Sequence, residues 1–345
     1  MRPQSGVRRK VLPREGKTEQ KLIRTCSIWR AMEVVGDTST LLILEASWIG
    51  ARRFDDIRAR SGLLPTLLSN RLRRLIVAGI LEKMLYSSSP PRHEYHLTEK
   101  GRDLYWTALM MLRWERRWAP RAGKLDIRLT HRTCGQAFEP VPTCLACKME
   151  ISARRVRWSD GPGVGWMALR YSRRRQQRSA AAERSADTAL MDEVAQITGD
   201  RWATLVLRSI FTGFRRFDEI HRDTSMATNI LAERLAWLTE RGVIRAQAYS
   251  VVPRRYEYRL TAKGVDYYPV LLMLLQWGDR YYSSPEGPPL LLRHGDDGHP
   301  LDPAVTCSAC GGTVVLGDVD FEVVDPSPAH LQEPVATSTP IPLAV

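Results

Sequence analysis

Between Leu64 and Gly101 the apolar residues change period once. Leu67, Leu68, Leu72, Leu75 and Ile76 recur at spacings of three and four, the signature of one helical face. Thr66, Ser69, Asn70, Arg73 and Arg74 fall between them and give the helix a polar, partly basic outer side. Gly79 follows the last turn, where a left-handed residue closes a helix. The pattern then turns β-rich over Ile80–Tyr86 and His93–Thr98, around the breaker SSSPPR, which predicts a hairpin. Thr98 sits where an N-cap belongs, before a new apolar-periodic run. Upstream, Ile28, Met32 and Val35, then Leu41, Leu42 and Leu44, predict two helices broken at Gly36-Asp37. Phe54, Ile57 and Leu63-Leu64 predict a third, short helix and its turn. Downstream, a closing helix over about 99–118 carries Leu104, Tyr105, Ala108, Leu109, Met111, Leu112 and Trp114, apolar nearly all round. Such a helix is buried on two sides, one of them against a partner. Helix, helix, helix–turn–helix, hairpin, helix is the order of a winged helix.

The pattern occurs twice. RRFDDI at 52–57 returns as RRFDEI at 215–220, and EYHLTEKG at 94–101 as EYRLTAKG at 257–264, both at an offset of 163. The offset runs without a gap from Gly36/Gly199 to Trp114/Trp277, with about 30 of 79 positions identical, which marks a tandem duplication. Cys144-x-x-Cys147 maps onto Cys307-x-x-Cys310, and His131 onto His294, at the same offset. The fold class expected is therefore α+β, mainly α: two winged helix–turn–helix domains, each followed by a small cysteine-containing β appendix. The divisions read from the sequence are a basic disordered arm (1–25), domain one (26–124), its Cys/His appendix (125–158), an Arg-rich linker (159–188), domain two (189–286), a second Cys/His appendix (287–325) and a disordered tail (326–345).

Charge sharpens this picture. The net charge of +13 is placed unevenly. Residues 1–24 hold eight Lys/Arg against two acids, and residues 154–184 nine Arg against two, whereas 282–345 has one Arg and nine acids. Basic character thus lies in the arm, the linker and the two modules, an electrostatic footprint for nucleic acid. No apolar run approaches the ~20 residues of a membrane span, and the basic N-terminus has no apolar stretch after it, so a cytoplasmic location is expected. Six cysteines in 345 residues do not make a disulfide scaffold, and the two Cys-x-x-Cys pairs favour metal.

GDTSTLLIL, RRFDDIRARSGLLPTLLSNRLRRLIVAGILEK and PPRHEYHLTEKG resemble the HxlR-type winged helix–turn–helix transcriptional regulators of bacteria. Both modules share the likeness over about 95 residues each. The resemblance implies a DNA-binding regulator of transcription. It also implies dimerisation, since ordinary relatives carry one module and pair through terminal helices. Some relatives use a thiol at the start of the module as a redox sensor, and Cys26 looks like that residue. Two departures stand out. The family's Lys-Trp pair after the early glycine is Arg201-Trp202 in module two but Thr38-Ser39 in module one. In the second copy of the reading helix, Glu233 replaces Asn70 and Ala236-Trp237 replace Arg73-Arg74.

The second helix of such a motif lies in the major groove, its early exposed residues against base edges. Thr66, Ser69, Asn70 and Arg73 are the candidates in module one, because Asn pairs bidentately with adenine and Arg with guanine. Thr228, Asn229 and Arg234 are those of module two, where Glu233 would repel phosphate and weaken binding. Arg92 at one hairpin tip and Arg254-Arg255 at the other suit the sugar-phosphate backbone, as do Arg52-Arg53 and Arg215-Arg216 before the short helices. Tyr95 and Tyr258 are expected to pack inward. The first appendix reads His131-x-x-Cys134-x9-Cys144-x-x-Cys147, four soft ligands for a tetrahedral, structural zinc. The second offers His294, His299, Cys307 and Cys310, with Asp297 in the place of Cys134. Neither set has an evident base or nucleophile, so no enzyme activity is expected.

The sequence thus predicts a regulator of transcription that binds double-stranded DNA sequence-specifically through two modules. They would act as an intrachain pseudo-dimer on an imperfect palindrome. Two alternatives stay open at this point: module two holds a partner or a second copy of the chain rather than DNA, or the regulator senses oxidants through Cys26.

Overall fold

The computed structural model describes residues 22–120, 124–168, 190–250, 252 and 254–324. A short strand β1 (Leu22–Arg24) leads into α1 (Ser27–Val35), α2 (Thr38–Trp48), α3 (Phe54–Ser61) and α4 (Pro65–Val77). The hairpin β2 (Leu81–Ser88) and β3 (Pro91–Leu97) follows, then α5 (Glu99–Arg102) and α6 (Tyr105–Trp118). The appendix contains β4 (Asp126–His131), β5 (Gln136–Ala137), β6 (Pro140–Cys144) and β7 (Val156–Asp160), with β8 (Trp166–Ala168) after it. The second half repeats this as α7 (Asp192–Thr198), α8 (Arg201–Phe211), α9 (Phe217–Thr224), α10 (Thr228–Glu240), β9 (Ile244–Ser250), β10 (Arg255–Leu260), α11 (Ala262–Val265) and α12 (Tyr268–Tyr282). Its appendix contains β11 (Leu290–His294), β12 (His299–Pro300), β13 (Pro303–Cys307) and β14 (Val319–Val324). Each module is a winged helix–turn–helix, and the two are tandem copies.

The local devices follow from the sequence. Asp37 and Asp200 cap α2 and α8, accepting from the amides of Thr40 and of Trp202 and Ala203. Gly79 and Gly242 take φ of 69° and 67° and turn each reading helix into its wing. Thr98 and Thr261 cap the next helix through the amides of Gly101 and Gly264. The closing helix expected over 99–118 is split: Asp103 and Leu104 turn the chain between α5 and α6, which lets the second piece dive into the interior.

The two modules share one apolar core, which runs unbroken from α1 to α12 and into the appendices. Helices are exchanged across the contact, with α1 of the first module on α12 of the second and α7 of the second on α6 of the first, while α6 and α12 pack on each other. The bonds are reciprocal at the repeat offset. The indole N–H of Trp114 donates to the carbonyl of Lys263 at 3.0 Å, and that of Trp277 to the carbonyl of Lys100 at 2.9 Å. Such mutual pairing is the mark of an isologous, twofold contact. Gly36 and Gly199 sit at a close approach of the two modules. A Cβ on Gly199 would lie 2.5 Å from the amide nitrogen of Thr38, and one on Gly36 would lie 2.6 Å from Cγ of Arg201.

The appendices are interwoven rather than separate. β4 pairs with β14, β7 with β11 and β6 with β13, all antiparallel and all between the halves. In the β6–β13 ladder Pro142 faces Val305, its own counterpart at offset 163. The pseudo-twofold axis therefore passes through that pair, and the equivalent hydroxyls of Thr143 and Thr306 bond across it at 2.7 Å.

Two boundaries read from the sequence move. The arm expected over 1–25 ends in ordered structure: Leu22–Arg24 is strand β1, with Ile23 buried and Arg24 paired to Asp223 of the second module at 3.2 Å. Its partner is β8, inside the stretch 159–188 expected as linker, and 159–160 belongs to β7. These segments pair with distant chain and carry no local signal of their own. The rest of the arm, residues 169–188 of the linker and the tail at 326–345 lie outside the described residues.

Candidate nucleic-acid interface and thiol–imidazole clusters

Helix α4 buries Leu68, Leu72 and Leu75, each contributing about 1.5–3 kcal/mol by leaving water. That stripe aims the opposite face outward and leaves Thr66, Ser69, Asn70 and Arg73 exposed. A second tie fixes the helix. Arg71, on the flank of the stripe, donates from Nε to Oδ1 of Asp37 at 2.9 Å, and Asp37 also caps α2. Helix α10 repeats the arrangement with Leu231, Leu235 and Leu238 inward and an Arg234–Asp200 pair at 2.6 Å.

Arg234, expected on the reading face of module two, is therefore not there. It is buried, 6% exposed, and held between Asp200 and Glu233. Its counterpart at offset 163 is Arg71, and each arginine ties its helix to the N-cap aspartate of the module's second helix, α2 or α8. Thr228 and Asn229 are exposed, and so are Ala232, Glu233 and Ala236, which stand where module one has Ser69, Asn70 and Arg73.

The arginines before each short helix divide by role. Arg53 lies 4.7 Å from the ring centre of Tyr86 and bonds Glu94, while Arg216 lies 4.7 Å from Tyr249 and bridges to Glu257 through the backbone. These contacts clamp each wing to the helix–turn–helix, although both side chains keep solvent access. Arg52, Arg215, Arg92, Arg254 and Arg255 are exposed, with Arg254 over the ring of Tyr256 at 5.4 Å. Tyr95 and Tyr258 are half-buried, and burial pushes both hydroxyls up from their ordinary value.

Cys26 is 3% exposed and acts as the N-cap of α1, its sulfur accepting from the amide of Trp29 at 3.4 Å. The other five cysteines form two clusters with histidines, but not in the sets that sequence proximity suggested. His131 and Cys134 meet Cys307 and Cys310, and Cys144 and Cys147 meet His294 and His299. The grouping of His131 and Cys134 with Cys144 and Cys147 is thus replaced by one in which each Cys-x-x-Cys serves the other appendix. The cause is the strand exchange: β6–β13 pairing about the pseudo-twofold carries each thiol pair across the axis. Asp297, in the place of Cys134, is not a fourth contact but accepts from Nδ1 of His299 at 2.8 Å.

Electrostatics follow the packing. Burial raises the Cys144 thiol, but hydrogen bonds from the backbone and from His299 outweigh it and bring it down to about 7. Backbone hydrogen bonding at Gly312 leads the effects that bring the Cys310 thiol to about 7. Sequence reasoning missed a further pair of acids between the modules. Glu45 accepts from the amides of Leu190 and Met191, and Glu115 from those of Glu193 and Val194, so module one caps α7 of module two. Lys124 pairs with Glu115. At the position equivalent to Glu45, module two has Arg208, buried against Asp223 at 2.9 Å.

The HxlR-like helix-turn-helix family profile matches residues 34–123 and again 197–286, together more than half of the chain. An uncharacterized HTH-type transcriptional regulator of Mycobacterium bovis is 42% identical over 137 residues, 40% of this chain and 87% of that protein. One of Methanothermobacter thermautotrophicus is 39% identical over 89 residues, 26% of this chain and 68% of that protein. The crystal structure of PA1607 is 36% identical and superposes with a TM-score of 0.33, covering 36% of this chain and 90% of that one. No described helix is long and apolar enough to cross a membrane. With both winged helices matched, this chain belongs to the HxlR family of helix–turn–helix transcriptional regulators, in which it carries the family domain twice.

Proposed function

We propose that the chain binds double-stranded DNA as an intrachain pseudo-dimer, on an operator with two unequal half-sites. The reciprocal bonding of Trp114 and Trp277 at the repeat offset carries this reading, because it gives one chain the twofold contact that two single-module chains would otherwise form. Half-sites would then lie a whole number of DNA turns apart, about 10 base pairs or a multiple. Module one would read bases through Thr66, Ser69, Asn70 and Arg73, with Arg92 and Arg52 on phosphate. Light scattering of the purified chain on a defined operator tests the proposal. One chain per operator is expected, and a tight complex holding two chains on a single operator refutes it.

A second reading concerns module two and is favoured by its outward face, where Ala232, Glu233 and Ala236 offer neither a bidentate donor nor a cation. On that reading α10 holds the geometry and contributes little base recognition. Operator affinity should fall about 5- to 150-fold on Asn70→Ala or Arg73→Ala, the range of about 1–3 kcal/mol for a base-edge contact. It should change less than threefold on Thr228→Ala with Asn229→Ala. Equal losses in the two modules would show that both read bases.

A further inference from the structure

The distances inside the two thiol–imidazole clusters are those of metal sites. Zinc with Zn–S of about 2.3 Å and Zn–N of about 2.0–2.1 Å at tetrahedral angles sets S···S near 3.8 Å and S···N near 3.5 Å. In the first cluster, Cys134 Sγ lies 3.6 Å from His131 Nδ1 and 4.0 Å from Cys307 Sγ, and Cys310 Sγ lies 3.3 Å from the same nitrogen. In the second, Cys144 Sγ is 3.4 Å from His299 Nε2, and Cys147 Sγ is 3.4 Å from His294 Nδ1. All four ligand atoms of each cluster lie within 4.8 Å of one another.

The surroundings orient these atoms. Oδ2 of Asp318 stands 2.8 Å from His131 Nε2 and turns Nδ1 toward the sulfurs. Asp297 does the converse for His299, bonding Nδ1 and turning Nε2 inward. A carboxylate behind the imidazole is the usual companion of a zinc-bound histidine. Each Cys-x-x-Cys closes a tight turn, with Lys148 donating to the Cys144 carbonyl at 2.7 Å and Gly311 to the Cys307 carbonyl at 2.8 Å. Lys148 holds φ of 60° where Gly311 holds 72°, a strained choice for lysine that a built turn imposes. Three thiolates with one imidazole, and two with two, are donor sets that favour zinc over hard cations. Four protein ligands fill each tetrahedron, as in structural sites.

We propose that each cluster binds one zinc ion, and that each ion is ligated from both appendices, so that two ions rivet the halves of the chain together across the pseudo-twofold. This goes beyond DNA binding and stands or falls independently of it. The test starts with the full chain purified without added chelator. Elemental analysis and native mass spectrometry should give two zinc ions per chain, and a wild-type chain that stays metal-free after zinc addition overturns the proposal. The grouping is read by paired variants. Cys134→Ser with Cys310→Ser strikes one site and leaves one zinc, whereas Cys134→Ser with Cys144→Ser strikes both and leaves none. The reverse pattern would place each ion within one appendix and refute the crossing. Cadmium-113 NMR of the cadmium-loaded wild type gives the same answer without variants. The β-protons of Cys134, Cys307 and Cys310 should couple to one cadmium and those of Cys144 and Cys147 to the other, and coupling of Cys134 to the cadmium of Cys144 overturns the assignment.

Discussion

Replacing Glu45 by glutamine probes the seam between the modules. The carboxylate is buried against the start of α7, where its two oxygens accept from Leu190 at 3.0 Å and Met191 at 3.3 Å. Burial raises its pKa, the two amide bonds lower it, Glu115 raises it and Lys124 lowers it, and the balance stands at about 7 against an ordinary 4.5. The folded chain therefore keeps a proton on Glu45 that the unfolded chain has already released between these two values. Stability must fall as pH rises through that window. At 1.36 kcal/mol per pKa unit the fall is about 3 kcal/mol. Glu45→Gln cannot titrate, so it removes this slope. It also keeps only one acceptor for two amides and leaves one donor unmet, at a cost of about 1–3 kcal/mol. The variant should thus be the weaker protein near pH 5 and approach or overtake wild type near pH 8. Asp279, raised by burial to about 6, slopes the same way but is present in both proteins and cancels in the difference. Urea unfolding followed by circular dichroism and tryptophan fluorescence, at half-unit steps from pH 5 to 8, measures it. Parallel stability curves for the two proteins would refute the reasoning.

Three further outcomes follow from the geometry. Arg234→Ala removes the guanidinium from Asp200, which keeps its two amide donors, and should cost about 1–3 kcal/mol, read as a lowered melting temperature without DNA, whereas exposed Thr228→Ala should stay within about 0.5 kcal/mol. Gly199→Ala drives a Cβ to 2.5 Å from the backbone nitrogen of Thr38 and should cost about 1–3 kcal/mol, while Gly317→Ala, with nothing within 4 Å, serves as the neutral comparison in the same melts. Arg92→Ala should weaken binding to all sequences alike and reduce the salt slope of the affinity by about one, checked by anisotropy titrations at several salt concentrations.

The winged helices were legible because their signals are local. Leucine spacing, Gly79, the SSSPPR break and the Thr98 cap each decide structure within a few residues, and the offset of 163 then predicts the second copy. The residue types of the two thiol–imidazole clusters were legible too, from the Cys-x-x-Cys pairs and the histidines near them. Their grouping was not, because a spacing rule assumes that neighbours in sequence are neighbours in space, and strand exchange about the axis through Pro142 and Val305 breaks that assumption. Arg234 misled for a related reason. It lies one step off the leucine stripe, where a cation can face water or reach an aspartate, and only the position of Asp200 decides. Glu45 and Glu115 gave no signal at all, because an acid inside an apolar helix is explained only by the helix end it meets in the other module.

The opposite residues at positions 45 and 208 show what joining the two copies made available. When two identical chains associate, a substitution appears on both sides of the axis at once, so an acid on one side forces an acid on the other. A single gene encoding both sides lifts that restriction: position 45 now caps a helix of the other module with a carboxylate, while its twin, Arg208, pairs with Asp223 of its own module, and Asp223 in turn holds Arg24 of the first. The halves consequently fit each other in one order only. A mixed assembly made from two first halves would place Glu45 and Glu115 opposite a helix start that was never shaped for them. Heredity has here turned a symmetric handshake into a keyed joint, in which left and right can be inherited and altered separately.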